Sequence, residues 1–274
     1  MRSPISTAPE RRWLQKLVTA VATLTGNLFL VVGSLFFATI AFLVAWIPPR
    51  GDWTFRVARL WGWGALLASG VRIDIQFAAG LDPNQQYVFM ANHRSLFDIP
   101  SMLVSLPGQA RFLAKKSLFQ IPIFGWALKA GGFVTIDREN LSSARESFAQ
   151  AVSRLRAGTS VLIFPEGTRS TVEHLLPFRR GGFLLAIKSG LPIVPVGIGG
   201  SREVRGKRSL VIRPGTIWVH YGEPIEASEY AVSQKQELMD QVREQIEVQM
   251  SRGGGGGAEV RVDEMTEGAD GHGE

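Results

Sequence analysis

A histidine and an aspartate five residues apart form the first group of residues able to do chemistry. The stretch 92–98 (NHRSLFD) follows an apolar strand pattern and precedes Pro100. Because proline is tolerated only in the first turn of a helix, a helix must begin between Ser95 and Asp98. His93 then lies in the preceding loop, where Asp98 is able to reach its imidazole. A carboxylate on one ring nitrogen fixes the tautomer and leaves the other nitrogen as a base near neutral pH.

The alternative interpretation of this stretch is a helix cap formed by Ser95 and Asp98, with His93 as an ordinary loop residue. A further pattern counts against it. Residues 161–170 (VLIFPEGTRS) form an apolar strand that runs into a loop with an acid, a glycine, two hydroxyls and an arginine. Gly167 permits a tight turn, and the guanidinium of Arg169 suits phosphate oxygens. Together, the patterns at residues 92–98 and 161–170 indicate a general base next to a binding site for an anion.

Elements that would position these residues alternate along the chain from Val71 onward. Short β-type runs alternate with helical patterns, which predicts an α/β domain with a mostly parallel sheet flanked by helices. The predicted strands are 71–77, 87–90, 111–114, 132–136, 160–164, 193–198 and 210–221, and the predicted helices lie near 97–106, 118–129, 141–156, 181–189 and 231–250.

The N-terminal part of the chain is apolar. Residues 17–47 form 31 consecutive uncharged positions, stopped by Pro48-Pro49. A bilayer core needs about 20 helical residues, so a straight helix is too long, and Gly26-Asn27 and Gly33-Ser34 are expected bends. A tilted span and a re-entrant hairpin both fit, and basic residues on both flanks favour the hairpin. A buried core helix is a further alternative, and residues 53–68, with tryptophan and arginine, suit either a headgroup interface or an ordinary surface helix.

Composition and charge narrow the function. The chain has no cysteine, which excludes thiolate nucleophiles and cysteine-ligated metal centres, and only four histidines, which disfavours a histidine-rich metal site. Residues 251–274 hold six acids and two bases, so of the net charge of +6 they contribute −4 and the rest of the chain +10. A basic body binds nucleic acid, anionic lipid or phosphorylated molecules. We expect a basic arm at 1–16, a membrane-embedded segment and interfacial helix at 17–70, a catalytic domain at 71–250 and a disordered glycine-rich acidic tail at 251–274.

Four blocks, in this order, resemble the glycerolipid acyltransferase family typified by 1-acylglycerol-3-phosphate acyltransferase. The N-H-x4-D block matches at residues 92–98, and the strand that ends in arginine matches at Phe133–Arg138. The F-P-E-G-T-R-S block matches unchanged at Phe164–Ser170, and a proline-containing apolar run matches at 191–196. The resemblance covers about residues 70–225.

The resemblance implies roles for individual residues. His93 would be the general base and Asp98 its orienting partner. The acceptor phosphate would be held by Arg169, Arg138 and Lys115, while Glu166, Gly167 and Thr168 would line the acceptor site. It also implies that the 2-hydroxyl of 1-acylglycerol-3-phosphate accepts an acyl chain from acyl-CoA or acyl carrier protein, which gives phosphatidic acid.

The residues agree with direct transfer. A thioester is already activated, so the reaction needs neither an enzyme nucleophile nor a cofactor or metal. A rival within the class is an acyltransferase for another lysolipid, such as a lyso-ornithine lipid or a lysophospholipid with a headgroup. A rival from another class is a thioesterase or lipase, although the chain has no G-x-S-x-G elbow. Since lipid and phosphate account for the charge, we expect no nucleic-acid partner, and we expect a membrane protein whose catalytic domain faces the cytoplasm.

Overall fold

A seven-stranded sheet organises the part of the chain that the structure, a computed structural model, describes, namely residues 8–48, 51–136 and 158–252. The strands lie in the order β1-β7-β6-β2-β5-β3-β4, and each neighbouring pair is parallel except β6 and β7. Their bounds are β1 Val71–Gln76, β2 Val88–Ala91, β3 Ala110–Lys115, β4 Val134–Ile136, β5 Ser160–Ile163, β6 Ile193–Gly199 and β7 Gly215–Tyr221. The predicted mostly parallel α/β fold is confirmed.

Helices cover both faces of the sheet, so β2 and β5 are buried along their whole length. The helices are α1 Ala8–Leu28, α2 Ser34–Val44, α3 Asp52–Ala68, α4 Asp98–Ser105, α5 Phe124–Ala130, α6 Arg180–Ser189, α7 Ser201–Val204 and α8 Lys235–Arg252. One apolar core lies between the sheet and α3 and α4, and a second lies between the sheet and α6 and α8.

The predicted elements differ from the observed ones at the last strand, at the helix near 118–129 and at the start of the C-terminal tail. The last strand begins at Gly215 rather than residue 210, because Pro214 has no N–H for a ladder and residues 210–212 bond to α1 instead. The helix predicted near 118–129 is a 3₁₀ turn, Lys116–Gln120, followed by α5, and Pro122 separates the two. Ser251 and Arg252, predicted to open the disordered tail at 251–274, still belong to α8, and the rest of that tail and the helix predicted near 141–156 lie outside the described residues.

The apolar N-terminal run forms one unbroken helix instead of a hairpin. Between α1 and α2 the chain continues through a single π-helical stretch, Phe29–Gly33, with helical backbone angles at both junctions. The expected bend at Gly26 is wrong because that glycine serves close packing: a Cβ there would collide with Ser69 and Ile212. The direction of the chain reverses only after the run, between Val44 and Asp52.

Helix α3 returns antiparallel along the long helix formed by α1 and α2. Thr54 Oγ1 donates to the carbonyl of Ala41 at 3.3 Å, and Thr25 Oγ1 donates to the carbonyl of Ala68 at 2.5 Å. Midway, Trp61 Nε1 donates to Ser34 Oγ at 3.0 Å. The long helix and α3 therefore form a helix hairpin, and α3 also packs against α4 of the catalytic domain.

The outer face of this helix pair is apolar and exposed. Exposed fractions reach 70% at Leu24, 72% at Val31 and 82% at Leu67. Residues 12–44 are long and apolar enough to cross a membrane. Arg59 lies in the segment 53–68, for which a headgroup interface and an ordinary surface helix were both open. It points into the protein, where its guanidinium donates to the carbonyls of Leu103 and Leu106.

Candidate active site

The loop between β2 and α4 is fixed by an asparagine at its first position. Asn92 Nδ2 donates to the carbonyl of Ile198 at 2.9 Å, and Asn92 Oδ1 accepts from the N–H of Ile198 at 2.7 Å. This pair extends the β2–β6 contact past the carboxyl end of β2, where backbone pairing ends at Ala91. His93 therefore leaves the sheet edge from a rigid base, at the edge where parallel α/β sheets bind ligands.

His93 and Asp98 meet as the sequence predicted. His93 Nδ1 lies 2.7 Å from Asp98 Oδ2, and the same oxygen accepts the N–H groups of Arg94 at 2.7 Å and Ser95 at 2.8 Å. Asp98 is the first residue of α4 and is fully buried, so three donors and the positive end of the helix stabilise its negative charge. Since a carboxylate only accepts, the proton is on Nδ1 and Nε2 carries a lone pair.

The imidazole of His93 stacks on Phe164. Their ring centroids are 4.2 Å apart at an interplanar angle of 20°. The ring of His93 is thus held by an aromatic face as well as by Asp98, while 16% of the side chain stays exposed. This contact was not predicted from the sequence, although Phe164 is the first residue of the F-P-E-G-T-R-S block.

Glu166, expected to line the acceptor site, lies buried and connects two backbone segments. Its Oε1 accepts the N–H of His93 at 2.8 Å and its Oε2 accepts the N–H of Leu176 at 2.9 Å. Its exposed fraction is only 3%. The carboxylate therefore fixes the His93 backbone, whereas Asp98 fixes the His93 ring.

The turn after Glu166 brings an arginine to the same place. Gly167 adopts a left-handed backbone with φ of 70°, and its N–H donates to the carbonyl of Phe164 at 3.0 Å. Thr168 is exposed and Arg169 is half-buried. The N–H of Ser170 donates to the carbonyl of His93 at 2.7 Å, so the backbone at Arg169 is tied directly to the histidine loop.

Of the other two expected phosphate ligands, the structure describes only Lys115, which stands apart from this group. Lys115 is the exposed last residue of β3, which is separated from β2 by β5 but ends at the same edge of the sheet. Arg138 lies outside the described residues. Sequence analysis also missed a cation that does reach the turn: Lys207 Nζ donates to the carbonyl of Arg169 at 2.6 Å.

Comparison with known proteins gives a consistent result. Residues 72–199 match the family model described as Acyltransferase. The chain is 30% identical over 210 residues to 1-acyl-sn-glycerol-3-phosphate acyltransferase alpha of Homo sapiens, which covers 76% of this chain and 74% of the human protein. The chain belongs to the 1-acyl-sn-glycerol-3-phosphate acyltransferase family. The family resemblance inferred from the four sequence blocks is confirmed.

Two further comparisons define how far the similarity reaches. A 1-acyl-sn-glycerol-3-phosphate acyltransferase of Cocos nucifera is 36% identical over 148 residues, which is 54% of this chain and 48% of the coconut protein. The chain thus spans about half the length of that relative. The crystal structure of the 1-acyl-sn-glycerophosphate (LPA) acyltransferase PlsC from Thermotoga maritima superimposes with a TM-score of 0.71, covering 91% of this chain and all of that one at 22% identity. At that identity the likeness establishes the fold.

Proposed function

We propose that the chain transfers an acyl group from a thioester to the 2-hydroxyl of 1-acylglycerol-3-phosphate, which gives phosphatidic acid. The observation that carries this proposal is the pairing of a base with a cation on one support. His93 has Nδ1 bound to Asp98 at 2.7 Å, and the backbone at Arg169 is bound to the carbonyl of His93 at 2.7 Å. When the phosphate of a lysolipid is bound by Arg169, we expect its 2-hydroxyl to lie next to His93 Nε2.

The reaction follows from the state of the imidazole. Nε2 takes the proton of the 2-hydroxyl as its oxygen attacks the thioester carbonyl, and the imidazolium that forms is stabilised by the buried carboxylate of Asp98. The C–S bond then breaks, and the proton passes from His93 to the departing thiolate. A positioned base contributes roughly 10²- to 10⁴-fold to such a step. The thioester is already activated, so neither a covalent intermediate nor a cofactor is required.

Binding of the acceptor depends on charge and position. Arg169 offers a planar pair of donors to phosphate, and we expect Lys115, at the end of β3 beside β5, and Arg138 to contribute further positive charge. Thr168, exposed beside Arg169, and Gly167 complete the turn that faces the acceptor. Holding the hydroxyl and the thioester together lowers the barrier further, because the two substrates lose their translational and rotational entropy when they bind and not in the chemical step.

We also propose that the helix pair embeds in the surface of a lipid bilayer. Contacts of the long helix with the catalytic domain run from Thr23, bonded to the backbone of Ile212, to Phe42, whose ring centroid lies 6.0 Å from that of Trp126 in α5. That stretch is about 28 Å long at ~1.5 Å per residue, nearly the whole ~30 Å hydrocarbon core. A perpendicular span would draw the catalytic domain into the bilayer, whereas a helix lying flat exposes its apolar outer face to one leaflet.

The catalytic domain is then expected on the cytoplasmic face, where acyl-CoA and acyl carrier protein are found. Sealed spheroplasts give the test. Protease added outside should leave the domain intact, and digestion from the outer face alone would contradict this orientation. Flotation of the purified chain with liposomes tests the embedding, and a chain that stays at the bottom of the gradient would contradict it.

The activity itself is tested with purified protein and labelled acyl-CoA or acyl carrier protein against a panel of lysolipids. The panel contains 1-acylglycerol-3-phosphate, its dephosphorylated form, a lyso-ornithine lipid and a lysophospholipid with a headgroup. We expect phosphatidic acid as the main labelled product. Preferential acylation of another member would identify a different acyltransferase, and labelled free fatty acid without acylated lipid would identify a thioesterase.

A further inference from the structure

A lysine from a segment without an assigned role lies against the active-site turn. Lys207 follows β6 and α7, and its Nζ donates to the carbonyl of Arg169 at 2.6 Å. The same ammonium lies 3.5 Å from Thr168 Oγ1. Lys207 is partly buried, whereas the next residue, Arg208, is exposed. The two adjacent cations therefore differ in what they touch.

The bond from Lys207 completes the fixing of one peptide unit. The carbonyl of Arg169 accepts from Lys207, and the N–H of the same peptide unit, on Ser170, donates to the carbonyl of His93 at 2.7 Å. Both polar groups of this unit are thus used, one toward the histidine loop and one toward the lysine. This peptide unit begins at the Cα atom of Arg169. Fixing the unit therefore helps to fix the direction in which the Arg169 side chain points from the backbone.

The segment that carries Lys207 is itself held on two sides. On the side of the active site, Ser95 Oγ donates to the carbonyl of Arg205 at 2.7 Å, and Arg205 Nε donates to the carbonyl of Ser209 at 2.9 Å. The lysine is therefore presented from a folded loop that is bonded to the same β2–α4 loop as the catalytic pair.

On the other side, the segment rests on the long N-terminal helix. Asn27 Nδ2 donates to the carbonyl of Leu210 at 2.8 Å, and the N–H of Ile212 donates to Thr23 Oγ1 at 3.0 Å. A short series of hydrogen bonds thus joins the long N-terminal helix, through residues 205–212, to the turn that carries Arg169.

The charges around Lys207 favour an anion nearby. Within the described ranges, no carboxylate lies within salt-bridge distance of Lys207, Arg205 or Arg169. The pKa of Arg205 is lowered from its ordinary value, first by burial and then by the positive charge of Arg169. Three cations gathered without a counter-charge are stabilised when a phosphate arrives.

We propose that Lys207 is a positioning residue that holds the Arg169 side chain in register with His93. The proposal rests on the proposed function, since it assigns Lys207 to the acceptor-phosphate site of that reaction. Lys207 acts through Arg169: its ammonium orients the 169–170 peptide, and the guanidinium of Arg169 meets the phosphate.

The test compares Lys207→Met with Arg208→Met, which removes the same charge from the same loop without touching the turn. We expect Lys207→Met to raise KM for 1-acylglycerol-3-phosphate roughly ten- to hundred-fold, the range for losing a hydrogen bond from a charged donor, with a smaller change in kcat. Turnover of the dephosphorylated acceptor should stay unchanged. Arg208→Met should match the wild type, and Lys207→Arg should recover most of the loss.

A double-mutant cycle with Arg169→Met separates positioning from direct phosphate binding. If Lys207 acts through Arg169, Lys207→Met causes no further loss when Arg169 is already methionine. Losses that multiply would mean that Lys207 binds phosphate independently, and would overturn the proposal. Equal kinetics for Lys207→Met and Arg208→Met would overturn it too. A wild-type chain inactive on 1-acylglycerol-3-phosphate would remove the proposed function and this inference together, before any variant is measured.

Discussion

The protein contains two histidines in or beside its sheet whose surroundings are opposite. His93 lies just past the end of β2, with a carboxylate on one nitrogen, an aromatic ring on one face and part of its surface exposed. His220 lies within β7, in register with Gln76 of β1 and Gly197 of β6, and is 3% exposed. Neither ring nitrogen of His220 makes a hydrogen bond of ordinary geometry in the described part of the chain, although the backbone of Gln249 lies close to the ring.

The comparison shows that position along a strand decides what a histidine does. Past the end of a strand, the chain can place the N-terminus of a helix, and with it Asp98, next to the histidine ring. Part of the ring also stays exposed, so that a substrate can reach it. Inside a strand, flanked by paired backbone, the ring is enclosed by neighbours and works as a neutral core residue. His93 is thus placed as the base of the proposed reaction requires, and His220 is a group whose charged form the fold disfavours.

Removing His93 should have the largest effect. His93→Ala deletes the proposed base, and we expect kcat for acyl transfer to fall roughly 10³- to 10⁴-fold. The fold should stay intact because Asp98 Oδ2 keeps its hydrogen bonds from the N–H groups of Arg94 and Ser95. The measurement is initial rate with labelled acyl-CoA, and the control is His174→Ala, which removes an exposed histidine. Turnover near the wild-type rate in His93→Ala would contradict the assignment of the base.

Removing only the charge of Asp98 should have a smaller but still large effect. Asp98→Asn keeps an oxygen for the N–H groups of Arg94 and Ser95, but it no longer stabilises an imidazolium at His93. We expect a loss of roughly 10²-fold or more in kcat, with KM nearly unchanged. A KM effect without a kcat effect would show that Asp98 shapes the acceptor site rather than orienting the base.

Much of this contrast was predictable from sequence. Pro100 limits where α4 begins, and so the meeting of His93 with Asp98 followed from a local rule. The strands followed from runs of apolar and β-branched residues, since a central parallel strand must be buried on both faces. Local chemistry therefore gave the catalytic pair and the sheet that carries it.

The contacts that were missed join distant parts of the chain. Residues 202–213 contain five basic side chains, and nothing in their spacing tells which one faces Arg169. Glu166 was expected to face the substrate. Its carboxylate instead accepts hydrogen bonds from the backbone N–H groups of His93 and Leu176, which are far apart in the sequence. Gly26 was interpreted as a bend, whereas it allows Ser69 to approach closely. Each of these outcomes depends on tertiary packing.

The smallest expected effect concerns His220 and the dependence of stability on pH. Burial lowers the pKa of His220 below its ordinary value of 6.5, while the charge of Asp74 opposes part of that shift. In the unfolded chain the group titrates near the ordinary value. At pH values below ~6.5 the unfolded state therefore binds more protons at this group than the folded state does. The free energy of unfolding is not reduced by His220 above pH ~6.5, and it declines as the pH falls below that value. The decline is at most ~1.4 kcal/mol per pH unit for one group.

His220→Gln should flatten that decline while leaving kcat at neutral pH close to the wild-type value. The measurement is the thermal unfolding midpoint across pH 5 to 8, with His174→Gln as the control for losing an exposed histidine. An unchanged pH slope in His220→Gln would show that the buried ring does not titrate on unfolding. A large loss of kcat in the same variant would break the comparison itself, because a histidine enclosed within β7 would then be needed for chemistry at the end of β2.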